Sequence, residues 1–356
     1  MKIVSFEVST PVGRIRRLGA LADGDENGRI ADLTAAFAAH LAQDTDEPTP
    51  RELAQLRTPP DMIGWLRAGH AGLAAAQSAL EFALAHPDAR GPDGETLLYR
   101  RSDVRLLAPL PRPASFRDFS IYEEHMTRAQ HAPLIGGNKY VRDPIWFTNP
   151  PYYKGSCTGI AGPEDPVPYP YYTKLLDLEL ELGIIIGKQG RNLTAEEAEG
   201  HIAGYTILID SSCREGFKRE PFGPNKRKDF HTALGPCMVT AAGMKAMGVN
   251  PMNLKCSVEV DGEMWFEGST SAPHSFTPAQ LVAYSSDNET LYPGDLLGTG
   301  TIGFACSQDL HKWIKVGQTA RFWIEHIGAM SLTVVEGEHV VDHVNGMKGL
   351  LQPSAA

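Results

Sequence analysis

Leu176-Asp177-Leu178-Glu179-Leu180-Glu181-Leu182, continuing as Gly183-Ile184-Ile185-Ile186-Gly187, alternates apolar and acidic residues with a period of two. In a β-strand, side chains two apart share a face. Glu179 and Glu181 are therefore expected on one side, with Leu178, Leu180 and Leu182 on the other. Two anions on an apolar strand repel, and each raises the pKa of its neighbour. A hard divalent cation with oxygen ligands would relieve that repulsion. Taken alone, the pair fits a half-exposed strand with a charged outer face equally well.

The surrounding texture is strand-rich. Val104–Leu110 is largely apolar, and Gly204–Ile209 is an apolar segment that delivers Asp210. Cys256–Val260 and Met264–Phe266 flank Asp261-Gly262, a hairpin-turn dipeptide. Arg321–Glu325 and Met330–Val335 read as a strand pair around Gly328. Thr194-Ala195-Glu196-Glu197 is a capping box that opens a short helix running to His201. Without βαβ alternation or a GxGxxG motif, a doubly wound nucleotide fold is disfavoured.

The first hundred residues differ. A strand at Lys2–Val8 precedes helical stretches at Ala31–Ala42 and Gly72–Ala85, where apolar residues recur every three or four positions. Pro87-Asp88-Ala89-Arg90-Gly91-Pro92-Asp93-Gly94-Glu95 is a turn-rich linker. The expected division is a scaffold or assembly domain over 1–95, a catalytic domain over 104–345 and a tail over 346–356.

With 356 residues, 42% hydrophobic, the chain is long enough to bury an enclosed site. A net charge of −10 and one short basic cluster argue against nucleic acid or an anionic membrane as partner. Five cysteines without a CxxC spacing point to reduced thiols rather than a zinc ribbon or disulfide framework. The first residues lack a signal-peptide core and no apolar run approaches the roughly 20 residues of a membrane span. A cytoplasmic protein is expected.

Four segments accompany the acidic strand in a fixed order. Phe116-Arg117-Asp118-Phe119 precedes it, with His125 seven residues after Asp118. Asp210-Ser211-Ser212-Cys213-Arg214 and Lys228-Asp229-Phe230 follow, then Pro293-Gly294-Asp295 leading to Gly298-Thr299-Gly300-Thr301. Over residues of about 104–336 this set resembles the fumarylacetoacetate hydrolase family, and the Asp118/His125 pair resembles its fumarylacetoacetase branch. The resemblance implies an α+β, strand-rich fold, a mixed β-sandwich roll with a smaller N-terminal α/β domain, in a homodimer. It implies Asp118, Glu179, Glu181 and Asp210 as metal ligands, and His125 as general base. Arg214, Lys228 and Thr301 would contact substrate, with Tyr153 a further candidate.

The chemistry is consistent with that assignment. Several carboxylates with room for water suit Mg²⁺, or Mn²⁺ or Ca²⁺, better than zinc. Such an ion can chelate a 2-oxo acid or 1,3-diketone and hold an enolate as it forms. Read singly, each residue has a plainer explanation: Asp118 and Asp210 as caps, Arg214 in an ion pair, Lys228 on a solvated basic stretch, His125 as a partly exposed histidine. The expected activity is hydrolytic carbon–carbon cleavage of a diketo or acylpyruvate-type acid. The alternative is a decarboxylase, tautomerase or dehydratase acting on a 2-oxo acid at the same site, and a binding protein that lost its chemistry is a third reading.

The sequence departs from the family pattern around the base. Fumarylacetoacetases carry a histidine-orienting glutamate downstream of the glycine–threonine loop, but Phe304-Ala305-Cys306-Ser307-Gln308-Asp309 contains none. The decarboxylase-type members place a glutamate three residues after the histidine, where Arg128 stands. Glu123, Glu124 and Asp309 remain open as substitutes, and Phe217 occupies a position where fumarylacetoacetases have a substrate-contacting glutamine. Specificity is expected from the segment after His125, from Tyr152-Tyr153-Lys154 and from His274-Ser275-Phe276.

Overall fold

The computed structural model describes residues 1–25, 27–131, 144–214, 224–273 and 275–338, with backbone only for 128–131. The expectations for Phe217, His274, the side chain of Arg128 and the tail 346–356 lie outside the described residues.

The alternating segment forms a strand, Leu176–Ile186, every residue of which is buried. It sits inside a mixed sheet of twelve strands among the described residues. From edge to edge the main path runs Leu98–Tyr99, Ile30–Asp32, Gly13–Leu21, Lys2–Thr10, Thr232–Thr240, Ile202–Cys213, Leu176–Ile186, Leu296–Gly298, Phe116–Phe119 and Tyr152–Lys154. A second sheet of five strands runs Glu263–Ser269, Lys255–Val260, Thr319–Ile324, Gly328–Glu336 and Val167–Tyr169. The fold is α+β and strand-rich. The expected hairpin turns at Asp261 and Gly262, both with positive φ, a conformation the Asn/Asp-Gly pair tolerates.

The period of two explains the layering. Leu178, Leu180, Leu182 and Ile184 face a core that includes Val258 and Val260 of the second sheet with Phe322, Ile324, Met330 and Leu332. The other face divides along the strand. Ile185 joins Leu208, Leu234 and Met238 under a helical layer drawn from Leu33–Asp44, Met62–Arg67 and Gly69–Ala85. On the N-terminal side of Gly183 that face carries Asp177, Glu179 and Glu181. One strand thus supplies core at one end and acids at the other.

The N-terminal strands extend the same sheet rather than forming another. Lys2 and Ile3 pair with Val239 and Met238, and the helical layer rests on residues from both halves of the chain. Asp32 caps Leu33–Asp44 by accepting from the Ala35 N–H at 3.0 Å, which satisfies a donor left free in the first helical turn.

Candidate active site

Register assembles the acids. Glu179 lies opposite Asp210 on the antiparallel neighbour, so the two share a face. On the other flank Gly183 pairs with Gly298, which pairs in parallel with Asp118, which pairs with Tyr153. Gly298 therefore separates Asp118 from the acidic strand. A Cβ there would lie 2.3 Å from Asp118 Oδ1 and 2.7 Å from Glu181 Oε2, so the two carboxylates converge across the space that glycine leaves. Oxygens of Asp118, Glu181 and Asp210 all lie within 4.8 Å of one another, and all three residues are buried.

Asp118 Oδ1 and Asp210 Oδ1 are buried without a hydrogen-bond partner, an arrangement that normally needs compensation. Burial pushes the carboxyls of Glu181 and Asp210 well above the usual range, and the neighbouring Asp118 adds to it. Burial also raises Asp118, against the pull of its bond to Glu181 and the charge of Lys228. A buried, oxygen-only donor set with unpartnered lone pairs fits a hard divalent cation.

Glu179 has the opposite electrostatics. Thr301 Oγ1 donates to its Oε1 at 2.8 Å, and Arg214 donates to the same oxygen. Ser212 Oγ at 2.7 Å and Lys228 Nζ at 2.6 Å donate to Oε2. Burial opposes its ionisation, but Arg214, Lys228 and His125 outweigh that and hold its carboxyl well below the usual range. Lys228 also bonds Asp210. Tyr153 donates to Asp210 Oδ2 at 2.9 Å, and its ring lies 5.2 Å from Lys228 Nζ. Asp118, Glu179, Glu181, Asp210, His125, Arg214, Lys228, Thr301 and Tyr153 are thus brought together. All but Asp210 line one cavity of about 660 Å³, whose apolar wall includes Phe119, Met126, Pro151 and Tyr152.

Of the three acids open as partners of the histidine, Asp309 is the one in contact. Both its carboxylate oxygens lie 3.1 Å from His125 Nδ1, and one accepts from the Phe304 N–H at 3.0 Å. A carboxylate accepts, so Nδ1 carries a proton and donates it to Asp309. Nε2 lies 3.5 Å from Glu179 Oε1.

Asp177 was not foreseen. Its carboxylate accepts from the Ser307 and Gln308 N–H groups at 2.6 and 3.1 Å, holding the first turn of the Ser307–Leu310 helix that carries Asp309. It also accepts from Arg214 Nε at 2.8 Å. The signal was present, since Asp177 is the first acid of the same alternation.

Residues 115–335 match the family described as fumarylacetoacetate (FAA) hydrolase C-terminal. Mitochondrial oxaloacetate tautomerase fahd2 of Xenopus laevis is 29% identical over 313 residues, 82% of this chain and 88% of that protein. Mitochondrial oxaloacetate tautomerase FAHD2A of Homo sapiens is 30% identical over 282 residues, 78% of this chain and 80% of that protein. A crystal structure of maleylpyruvate hydrolase from Sphingobium sp. SYK-6, in complex with manganese(II) and pyruvate, shares the fold with a TM-score of 0.64 at 23% identity. That match covers 95% of this chain and 100% of the other.

Proposed function

This chain belongs to the fumarylacetoacetate hydrolase family, and from that premise we propose that it is a divalent-metal-dependent enzyme acting on small 2-oxo acids, cleaving a carbon–carbon bond in a diketo or acylpyruvate-type acid. The observation that carries the reading is the His125–Asp309 pair, 3.1 Å apart, beside the buried acids. It supports a base oriented by a carboxylate, one of the three partners that the sequence left open.

Asp118, Glu181 and Asp210, with Glu179 beside them, would hold Mg²⁺ or Mn²⁺, which supplies Lewis-acid polarisation of the substrate's oxo oxygen. Arg214 and Lys228 bind the substrate carboxylate as charge-assisted donors, while Asp177 and Glu179 keep them in place. Thr301 and Tyr153 fix the substrate between them. His125 Nε2 takes a proton from water, whose oxygen bonds to the distal carbonyl carbon. As the carbon–carbon bond breaks, its electron pair goes to the 2-oxo acid fragment, which receives the proton from His125. Asp309 keeps the imidazole in the productive tautomer and steadies its charge.

A second reading, keto–enol tautomerism of oxaloacetate, is favoured by the relatives named above. It uses the same base to move a carbon-bound proton and needs no water. Purified protein should be assayed on acylpyruvates and oxaloacetate, with and without EDTA. Acid release from acylpyruvates that EDTA abolishes supports hydrolysis. Turnover of oxaloacetate alone replaces hydrolysis with tautomerism, and EDTA-resistant activity refutes the metal.

A further inference from the structure

The chain that carries the acids runs on past Ile186 into the wall of a second cavity. Its volume is about 690 Å³, and it shares no lining residue with the active-site cavity. Gly187, Lys188 and Gln189 form one part of the wall, and Trp65, Leu66 and Leu73 of the helical layer form another. Gly187 lies about 20 Å beyond Glu181 along an extended chain. We propose that this cavity binds a phosphate monoester whose organic part is apolar or aromatic.

Charge and donors support it. Arg67, His70, Lys188 and His201 line the cavity, and among the described residues no carboxylate does, although the chain's net charge is −10. Arg67 and Lys188 are exposed and pair with no acid among the described residues. The helix Gly69–Ala85 starts here without a side-chain cap, and its first residues, Gly69 and His70, are part of the wall. Its first-turn N–H groups are therefore open to an anion. His201 points to a ligand independently. It is 8% exposed, its Nδ1 donates to the Lys188 carbonyl at 3.0 Å, and Nε2 has no partner among the described residues. With the proton on Nδ1, Nε2 needs a donor. A phosphate monoester carries an exchangeable proton near neutral pH and can supply it, whereas an ionised carboxylate only accepts.

The rest of the wall selects the organic part. Trp65, Leu66 and Ile202 are buried, and the Trp65 ring is fixed by the bond from Nε1 to the Gly72 carbonyl at 2.9 Å. Tyr292 is half exposed, so its ring can stack on a planar group. The volume lies in the range of small-molecule sites. Glu197, the acid that interacts with His201, is not part of the wall and accepts from the Thr194 N–H at 2.9 Å. The mechanism above makes no use of this cavity.

Phenyl phosphate is the probe, titrated into the whole chain by isothermal calorimetry. It should bind at least about tenfold more tightly than inorganic phosphate, which lacks the apolar part, and than benzoate, which lacks the phosphate. Arg67→Gln and Lys188→Gln, both at exposed positions, should each weaken it at least about fivefold, whereas Lys228→Gln should leave its affinity unchanged. Should Lys228→Gln disturb the buried acids, competition by pyruvate in Mg²⁺ replaces that variant, and the probe should stay bound. No binding of phenyl phosphate overturns the proposal. Equal affinity for inorganic phosphate, which would leave only a basic patch, or for benzoate overturns it too. So does a probe that pyruvate displaces, or that Lys228→Gln loses while both exposed variants keep it, since it would then sit among the acids. None of these readouts needs turnover, so the site and the proposed activity stand or fall separately.

Discussion

Gly298 and Asp309 bound what a single residue does in this site. The first must be glycine because its missing Cβ is the space in which Asp118 and Glu181 approach. Gly298→Ala is expected to leave the chain folded but weaken Mg²⁺ or Mn²⁺ binding at least tenfold, as read by isothermal titration. Unchanged affinity would show that the two carboxylates need not converge. Asp309 acts through His125, so Asp309→Asn should lower kcat by about 10–10²-fold with little change in KM, and His125→Ala by about 10²–10⁴-fold. Because the asparagine replaces the carboxylate that keeps the proton on Nδ1 with a neutral amide whose NH2 can face that nitrogen, the pH dependence of kcat should move as well. A loss confined to thermal stability would reduce Asp309 to a structural contact.

At the scale of elements, Asp32 ties the helical layer to the sheet at an electrostatic cost. It caps Leu33–Asp44, yet its Oδ2 is buried without a hydrogen bond and Arg17 Nε stays 3.6 Å away. Burial pushes its carboxyl up to about 6, against the Ala35 N–H and Arg17. A raised folded pKa means the folded state holds the proton more tightly. Its contribution to stability is present below about pH 4 and lost as pH rises through about 6, a swing of about 3 kcal/mol at most. Asparagine caps as well as aspartate, so Asp32→Asn should be more stable than the parent by about 1–2 kcal/mol at pH 7.5. Urea denaturation should show that gain shrinking towards pH 4; a pH-independent difference would exclude the buried charge as its source. The elements themselves were unevenly legible. The Leu176–Ile186 strand, the Asp261-Gly262 hairpin and the Thr194 capping box were readable because each is fixed by neighbours in sequence. Asp309 was only one of three choices because its contact with His125 spans 184 positions, and nothing local marks it. Gly298 was read only as part of a glycine–threonine loop, since only the parallel pairing with Phe116–Phe119 shows what its missing side chain permits.

Across the whole molecule, the N-terminal strands cover an edge that would otherwise be open. Without residues 1–95, the Thr232–Thr240 strand would lose its Lys2–Thr10 partner, and Leu208, Leu234 and Met238 would lose their helical cover. A chain beginning near residue 104 is therefore expected to aggregate; a soluble, active fragment would show that the second sheet suffices as support. Metal should act globally, because it binds only where the sheet has brought three strands into register. At a hundredfold excess over its Kd, Mg²⁺ or Mn²⁺ should stabilise the fold by about 2.7 kcal/mol, and Glu181→Gln should abolish that gain in a thermal melt. Among the described residues no helix is long and apolar enough to cross a membrane. Asp177 carries one more consequence. Sitting two residues before Glu179, it holds the helix on which Asp309 stands, so Glu179, Glu181 and the histidine's support hang from a single strand. A slip of one residue in that strand would disable both together, and neither can be retuned by sliding it. Divergence in what such a site accepts is left to the cavity's outer wall around Met126, Pro151 and Tyr152, which can vary while the strand stays fixed.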